Sequence, residues 1–165
     1  MVTLDKVYHA AFVLKDVARK TDLIEAPTLS KDATIFLKTE NLQVTGSFKL
    51  RGAYYKISTL TPEERAKGLV TASAGNHAQG VAYAAREFGC HAKIVMPATT
   101  PLMKVERTKR YGAEVILHGD VYDEACEYAY ELAEKEGMTF IHPFDDLAVA
   151  TGQGTIAMEI VQELP

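Results

Sequence analysis

The stretch GLVTASAGNHAQGVAYAAREFGCHAKIVMP, residues 68–97, decides the fold. It opens on a short β-branched run, breaks at small residues, and continues as an amphipathic pattern that stops at Gly89. It then returns to the apolar run AKIVMP. A strand, a helix and a second strand in this order predict a parallel pair joined by a crossover. The same alternation continues outward. TPLMKVERTKRYG (100–112) reads as a helix and AEVILHG (113–119) as a strand. VYDEACEYAYELAEKEG (121–137) reads as a helix and MTFIHP (138–143) as a strand. Gly89, Gly112 and Gly137 each follow a helical pattern and precede a strand, which is the helix-stop signal. The expected fold class is therefore α/β, a three-layer parallel sheet with helices on both faces and right-handed crossovers.

The flanks follow different patterns. Residues 1–30 predict one helix, with Val7, Ala10, Ala11 and Leu14 spaced at three and four, followed by the irregular TDLIEAPTLS. ATIFLKTEN (33–41) predicts a strand. After Pro143, FDDLAVATGQGTIAMEIVQELP predicts a loop or short helix and then an apolar helix, with TGQGT (151–155) as its flexible lead-in. The apolar faces expected at residues 5–18 and 155–163 favour self-association or a partner.

Composition narrows the function. The chain has 165 residues, 47% of them hydrophobic and 24% charged, which suits about one soluble globular domain. A net charge of -4 gives no broad basic field, so nucleic acid is not expected as a partner. The densest basic run, KVERTKR (104–110), alternates with acid on a predicted helix and reads as a solvated face. The amino terminus is apolar only in short bursts, so neither a signal peptide nor a membrane span is expected. The two cysteines, Cys90 and Cys126, form no CxxC pair, and the five histidines lack ligand spacing. No metal site or disulfide framework is expected, and a reducing cytoplasm fits best.

Two stretches carry chemistry. TASAGNHAQG (71–80) lies where a strand gives way to a helix, and its small residues leave backbone N–H groups free to bind an anion. Gly75 and Gly80 have P-loop spacing, but Val81 and Ala82 occupy the places of the required Lys and Ser/Thr. No GxGxxG pattern occurs there either, so nucleotide binding is not supported. TGSFKLRGAYYKIS (45–58) places Lys49 between Phe48 and Leu50 at a predicted helix start. One reading is a lysine whose stem covers apolar surface while its head reaches water. The other is an amine whose pKa is depressed by apolar neighbours and a helix N-terminus, fit to attack a carbonyl and form a Schiff base. Asn76 reads either as a helix cap or as a ligand-binding group, and His77 as a backbone donor with a structural ring. His142 is given no role.

These residues support a resemblance. ENLQVTGSFKLRGA (40–53) resembles the pyridoxal-phosphate attachment signature of the serine/threonine dehydratase family, and SAGNHAQG (73–80) is similar to its carboxylate-binding loop. HPFDD and GQGTIAMEI resemble its later landmarks in order. The resemblance implies a fold-type-II pyridoxal-phosphate enzyme with the tryptophan-synthase-β-like fold, closest to the biodegradative threonine ammonia-lyases. It implies that Lys49 forms the Schiff base and later moves the proton at the substrate α-carbon, that Phe48 packs near the cofactor ring, and that Asn76 bonds its phenolic oxygen. The loop Ser73, Ala74, Gly75, Asn76 and His77 would bind the substrate carboxylate.

The implied reaction is loss of water from L-threonine, with 2-oxobutanoate and ammonia as products. L-serine, and a cysteine-synthase-like β-replacement, remain alternatives. Ala74 stands where related racemases carry a serine, which favours elimination. The resemblance further implies a homo-oligomer and three parts: residues 1–49 of a large cofactor domain, 50–150 as a small α/β domain, and 151–165 as the first returning helix. The family's glycine-rich phosphate loop has no counterpart here, so the chain is expected to be an N-terminal fragment. Its alternative function is that of a stable non-catalytic domain.

Overall fold

The computed structural model describes residues 1–164; the last position of the expected returning helix, Pro165, lies outside them. The central sheet has four parallel strands, β3 (Leu69–Ala72), β4 (Ala92–Met96), β5 (Glu114–Leu117) and β6 (Thr139–Phe140). Two further strands, β1 (Leu23–Glu25) and β2 (Phe36–Lys38), pair antiparallel apart from it. β1 falls in the segment expected to be irregular. Each partner is three residues long, too short to show a period.

Alternation along the central strands makes the layers. Leu69 of β3 and Ala92, Ile94 and Met96 of β4 face one core cluster, while Val70, Ala72 and Val95 face the other. The first cluster is closed by α2 (Lys49–Ser58), α4 (Asn76–Glu87) and α5 (Leu102–Lys109) through Ala53, Ile57, Val81, Ala85 and Val105. The second is closed by α6 (Tyr122–Glu136) through Ala125, Ala129 and Leu132. Side chains such as Ile94, Val70 and Leu69 are fully buried, and each contributes about 1.5–3 kcal/mol of transfer free energy. Gly89, Gly112 and Gly137 follow their helices in the left-handed region, with φ of +64°, +87° and +68°. The expected stops are there.

Strand order carries the functional consequence. It runs β5-β4-β3-β6, so the chain steps outward twice, then returns across the sheet to lie beside β3. α4 and α5 make the outward steps on one face and α6 the return on the other. The carboxyl ends of β3 and β6 therefore flank a topological switch point, where open α/β sheets form their ligand crevice.

α1 (Leu4–Leu14) and α7 (Leu147–Glu163) hold α2 in place. α1 buries Val7, Ala10 and Leu14 and leaves Leu4, Tyr8 and Phe12 exposed. The short α3 (Pro62–Ala66) starts with a capping box between Thr61 and Glu64. α7 is one continuous helix, capped by the Asp146 carboxylate on Ala148 and Val149 N–H. Thr151–Thr155 thus lies inside a helix and is no flexible lead-in. The glycines serve packing: a Cβ on Gly152 would lie 2.5 Å from the Arg51 carbonyl oxygen and 2.8 Å from Gly52 Cα. α2 and α7 cross there backbone to backbone. No helix among the described residues is long and apolar enough to cross a membrane.

Candidate active site

Three segments meet at the switch point: the start of α2, the loop after β3 and the segment 141–146 after β6. The chain turns at Gly46, with φ +78°, a conformation that favours glycine, and α2 begins at Lys49. Gly80 lets α4 approach closely, since a Cβ there would lie 3.1 Å from the Lys49 carbonyl carbon and oxygen. The Lys49 ammonium donates to the Pro143 carbonyl at 2.7 Å and lies 5.5 Å from the centre of the Phe48 ring. Among the described residues it makes no ion pair. Burial pushes its pKa below the usual lysine value, with no carboxylate to oppose the shift. The Phe48 ring is exposed beside it.

The loop after β3 offers donors. Ser73 Oγ accepts from the Gly75 N–H at 3.2 Å, and Gly75 occupies the N-cap position of α4 without a side-chain cap. Asn76 is the first helical residue and exposed, so it does not cap the helix. The first N–H groups of a twelve-residue helix are left for a ligand. His77 is buried; its Nε2 bonds the Ile141 carbonyl at 3.0 Å while its Nδ1 has no partner. Burial pushes its pKa down to about 4, with Lys49 and His142 adding repulsion, so the ring is neutral near pH 7. Its one bond is to a backbone carbonyl.

Two residues beyond Lys49, the helix is anchored by charge. Arg51 is 1% exposed and donates to both oxygens of Glu40 at 2.8 and 2.9 Å and to both of Glu159 at 2.6 and 3.0 Å. Thr155 and the Arg19 carbonyl take its remaining bonds. Burial raises the Glu40 carboxyl, but bonds from Arg51 and Thr21 outweigh it and hold the group below the usual value. Lys38 pairs with Glu159 at 2.8 Å and completes the cluster.

The structure brings Lys49, Phe48 and the start of α4 together across the Ile141–Pro143 segment. Sequence reasoning missed Pro143, whose carbonyl holds the amine. Its place just past the strand that returns beside β3 was the available signal.

The comparisons fit this geometry. The family described as pyridoxal-phosphate dependent enzyme matches residues 14–165. The chain belongs to that family. Among pyridoxal-phosphate dependent enzymes, it is 53% identical over 167 aligned positions to L-threonine ammonia-lyase of Thermotoga maritima, covering 100% of this chain and 42% of that one. The processed form of threonine deaminase isoform 2 from Solanum lycopersicum superposes with a TM-score of 0.89 at 45% identity, over 98% of this chain and 47% of the other. Maize serine racemase superposes at 0.94 with 32% identity, over 99% of this chain and 50% of the other. The chain spans less than half the length of the curated relatives it matches.

Proposed function

We propose that this chain supplies the Schiff-base lysine and the carboxylate-binding loop of a pyridoxal-phosphate-dependent ammonia-lyase acting on L-threonine and L-serine. The observation that carries the reading is Lys49, held at 2.7 Å by a neutral carbonyl, without a carboxylate, opposite the uncapped start of α4. That amine fits the cofactor's aldehyde, because burial favours its neutral, nucleophilic form. Bound pyridoxal phosphate supplies an electron sink for the pair released when the α-proton is lost.

The chain's own residues then bind, orient and move protons. The loop Ser73, Ala74, Gly75, Asn76 and His77 receives the substrate carboxylate, fixing the α-carbon against Lys49. The Ser73 N–H already bonds the Val95 carbonyl and the Gly75 N–H bonds Ser73 Oγ, so the N–H groups of Ala74, Asn76 and His77 and the Ser73 hydroxyl are the donors left for it. Asn76 offers its exposed amide to the cofactor's phenolic oxygen, and Phe48 its exposed ring face. Lys49 takes the α-proton. Loss of the β-hydroxyl as water and hydrolysis of the resulting enamine give the 2-oxo acid and ammonia. Ala74 offers no hydroxyl to the opposite face of the α-carbon, which supports elimination over racemisation. In this reading residues 1–49 and 151–165 belong to a larger cofactor domain and 50–150 to a smaller one.

The test is titration with pyridoxal phosphate, trapping with borohydride and peptide mapping. One label per chain, confined to Lys49 and lost in Lys49→Ala, is the expected result. Labels scattered over surface lysines would remove the reading.

A further inference from the structure

Segment 141–146 leaves the carboxyl end of β6 and forms one wall of the crevice. Thr71 Oγ1 and His77 Nε2 both donate to the Ile141 carbonyl, at 2.7 and 3.0 Å. Lys49 takes the Pro143 carbonyl at 2.7 Å. Between these ties lies one internal to the segment: the N–H groups of Phe144 and Asp145 both donate to His142 Nδ1, at 3.2 and 2.7 Å. These two bonds fold the chain around Pro143 and so fix the direction of its carbonyl. The imidazole is itself held, edge-on to Phe144 with centroids 4.7 Å apart and tilted against Phe140 at 6.1 Å. Phe140 in turn stacks on Tyr130 at 4.1 Å.

We propose that His142 is a positioning residue for Lys49: its Nδ1, accepting two backbone N–H bonds, aims the Pro143 carbonyl that holds the amine. The proposal rests on Lys49 being the lysine that reacts with the cofactor. An Nδ1 that carries a proton cannot accept, so the imidazolium forfeits both bonds and the turn loosens. The amine then loses its fixed acceptor, and with it the orientation from which it attacks. Around this turn, Lys49 of α2 is tied to the Pro143 carbonyl, His77 of α4 lies within electrostatic reach of His142, and Asp145 gives the ring its N–H. His77, pushed down to about 4, stays neutral at about pH 7.5 in every variant. Differences between variants therefore report on His142.

The experiment uses the full chain. It measures the rate of borohydride-trapped adduct formation between pyridoxal phosphate and Lys49, and the histidine tautomer and Phe144 and Asp145 amide shifts by NMR. His142→Ala is expected to slow adduct formation about tenfold at about pH 7.5. His142→Asn, whose side-chain oxygen can accept from the same two N–H groups, is expected to recover the rate to within about threefold of wild type.

A wild-type Nδ1 that is protonated at about pH 7.5 overturns the proposal, and so do unchanged rates and amide shifts in His142→Ala. An adduct that forms equally in all three proteins removes the role of His142 alone. No Lys49 adduct in wild type removes the lysine's role and the proposal together.

Discussion

Lys49 and Arg51 leave the first turn of α2 two residues apart and meet different surroundings. Arg51 is enclosed by two carboxylates, a hydroxyl and a carbonyl, and its pKa rises: burial opposes the charge, but the bonds from Glu40 and Glu159 outweigh it. Lys49 has one neutral carbonyl, and its pKa falls through burial alone. A buried cation with paired anions holds the fold, whereas one with a dipole and no anion is free to give up its proton. One helix turn thus carries one cation held charged by paired anions and one whose charge burial disfavours.

Removing each cation is the strongest way to break that contrast. Arg51→Ala leaves Glu40 and Glu159 facing each other, and urea unfolding is expected to record a loss of about 3–5 kcal/mol. Lys49→Ala frees only a backbone carbonyl at a half-buried position, so its cost is expected below about 1 kcal/mol. Equal costs would erase the distinction.

A pH series sharpens it next. His77 has a folded pKa of about 4 against an ordinary 6.5, so the unfolded chain binds its proton first on acidification. Its contribution is complete above about pH 6.5 and is lost as pH falls toward 4, roughly 3 kcal/mol in all. The stability slope across this window is expected to flatten in His77→Gln. Glu40, held below 4.5, adds its own loss only at more acid pH, as the proton count of a depressed carboxylate requires. The helix crossing is probed by Gly152→Ala, whose Cβ would meet the Arg51 carbonyl and Gly52. Thermal unfolding is expected to show a loss of about 1–3 kcal/mol, with reduced trapping at Lys49 as α2 shifts.

Much of this was legible in the sequence where the signal is local. The alternation from Leu69 to Phe140, the stops at Gly89, Gly112 and Gly137, and the helix beginning at Lys49 all follow from residue period and backbone preference. What escaped depends on residues far apart in the chain. Gly152 and Gly154 look like flexible punctuation until α2 is packed against the first and Val7 of α1 against the second. Arg51 and Glu159 are 108 positions apart, and nothing local marks them as partners. β1 needs β2, eleven residues further on, to be a strand at all. The Pro143 carbonyl is a backbone atom, and no residue type announces it.

The Gly52–Gly152 crossing has a mechanical meaning. Where Gly152 meets Arg51 and Gly52 the two backbones touch, with only the Gln153 side chain bonded to the Gly52 N–H beside them, so α2 and α7 have little of the layer of rotamers that absorbs shear between packed elements. α6, separated from β3 and β4 by Val70, Val95 and Ala129, has that cushion. The pair behaves as a single strut, tied to Glu159 through Arg51 in the first turn of α2 and carrying Lys49 at its tip.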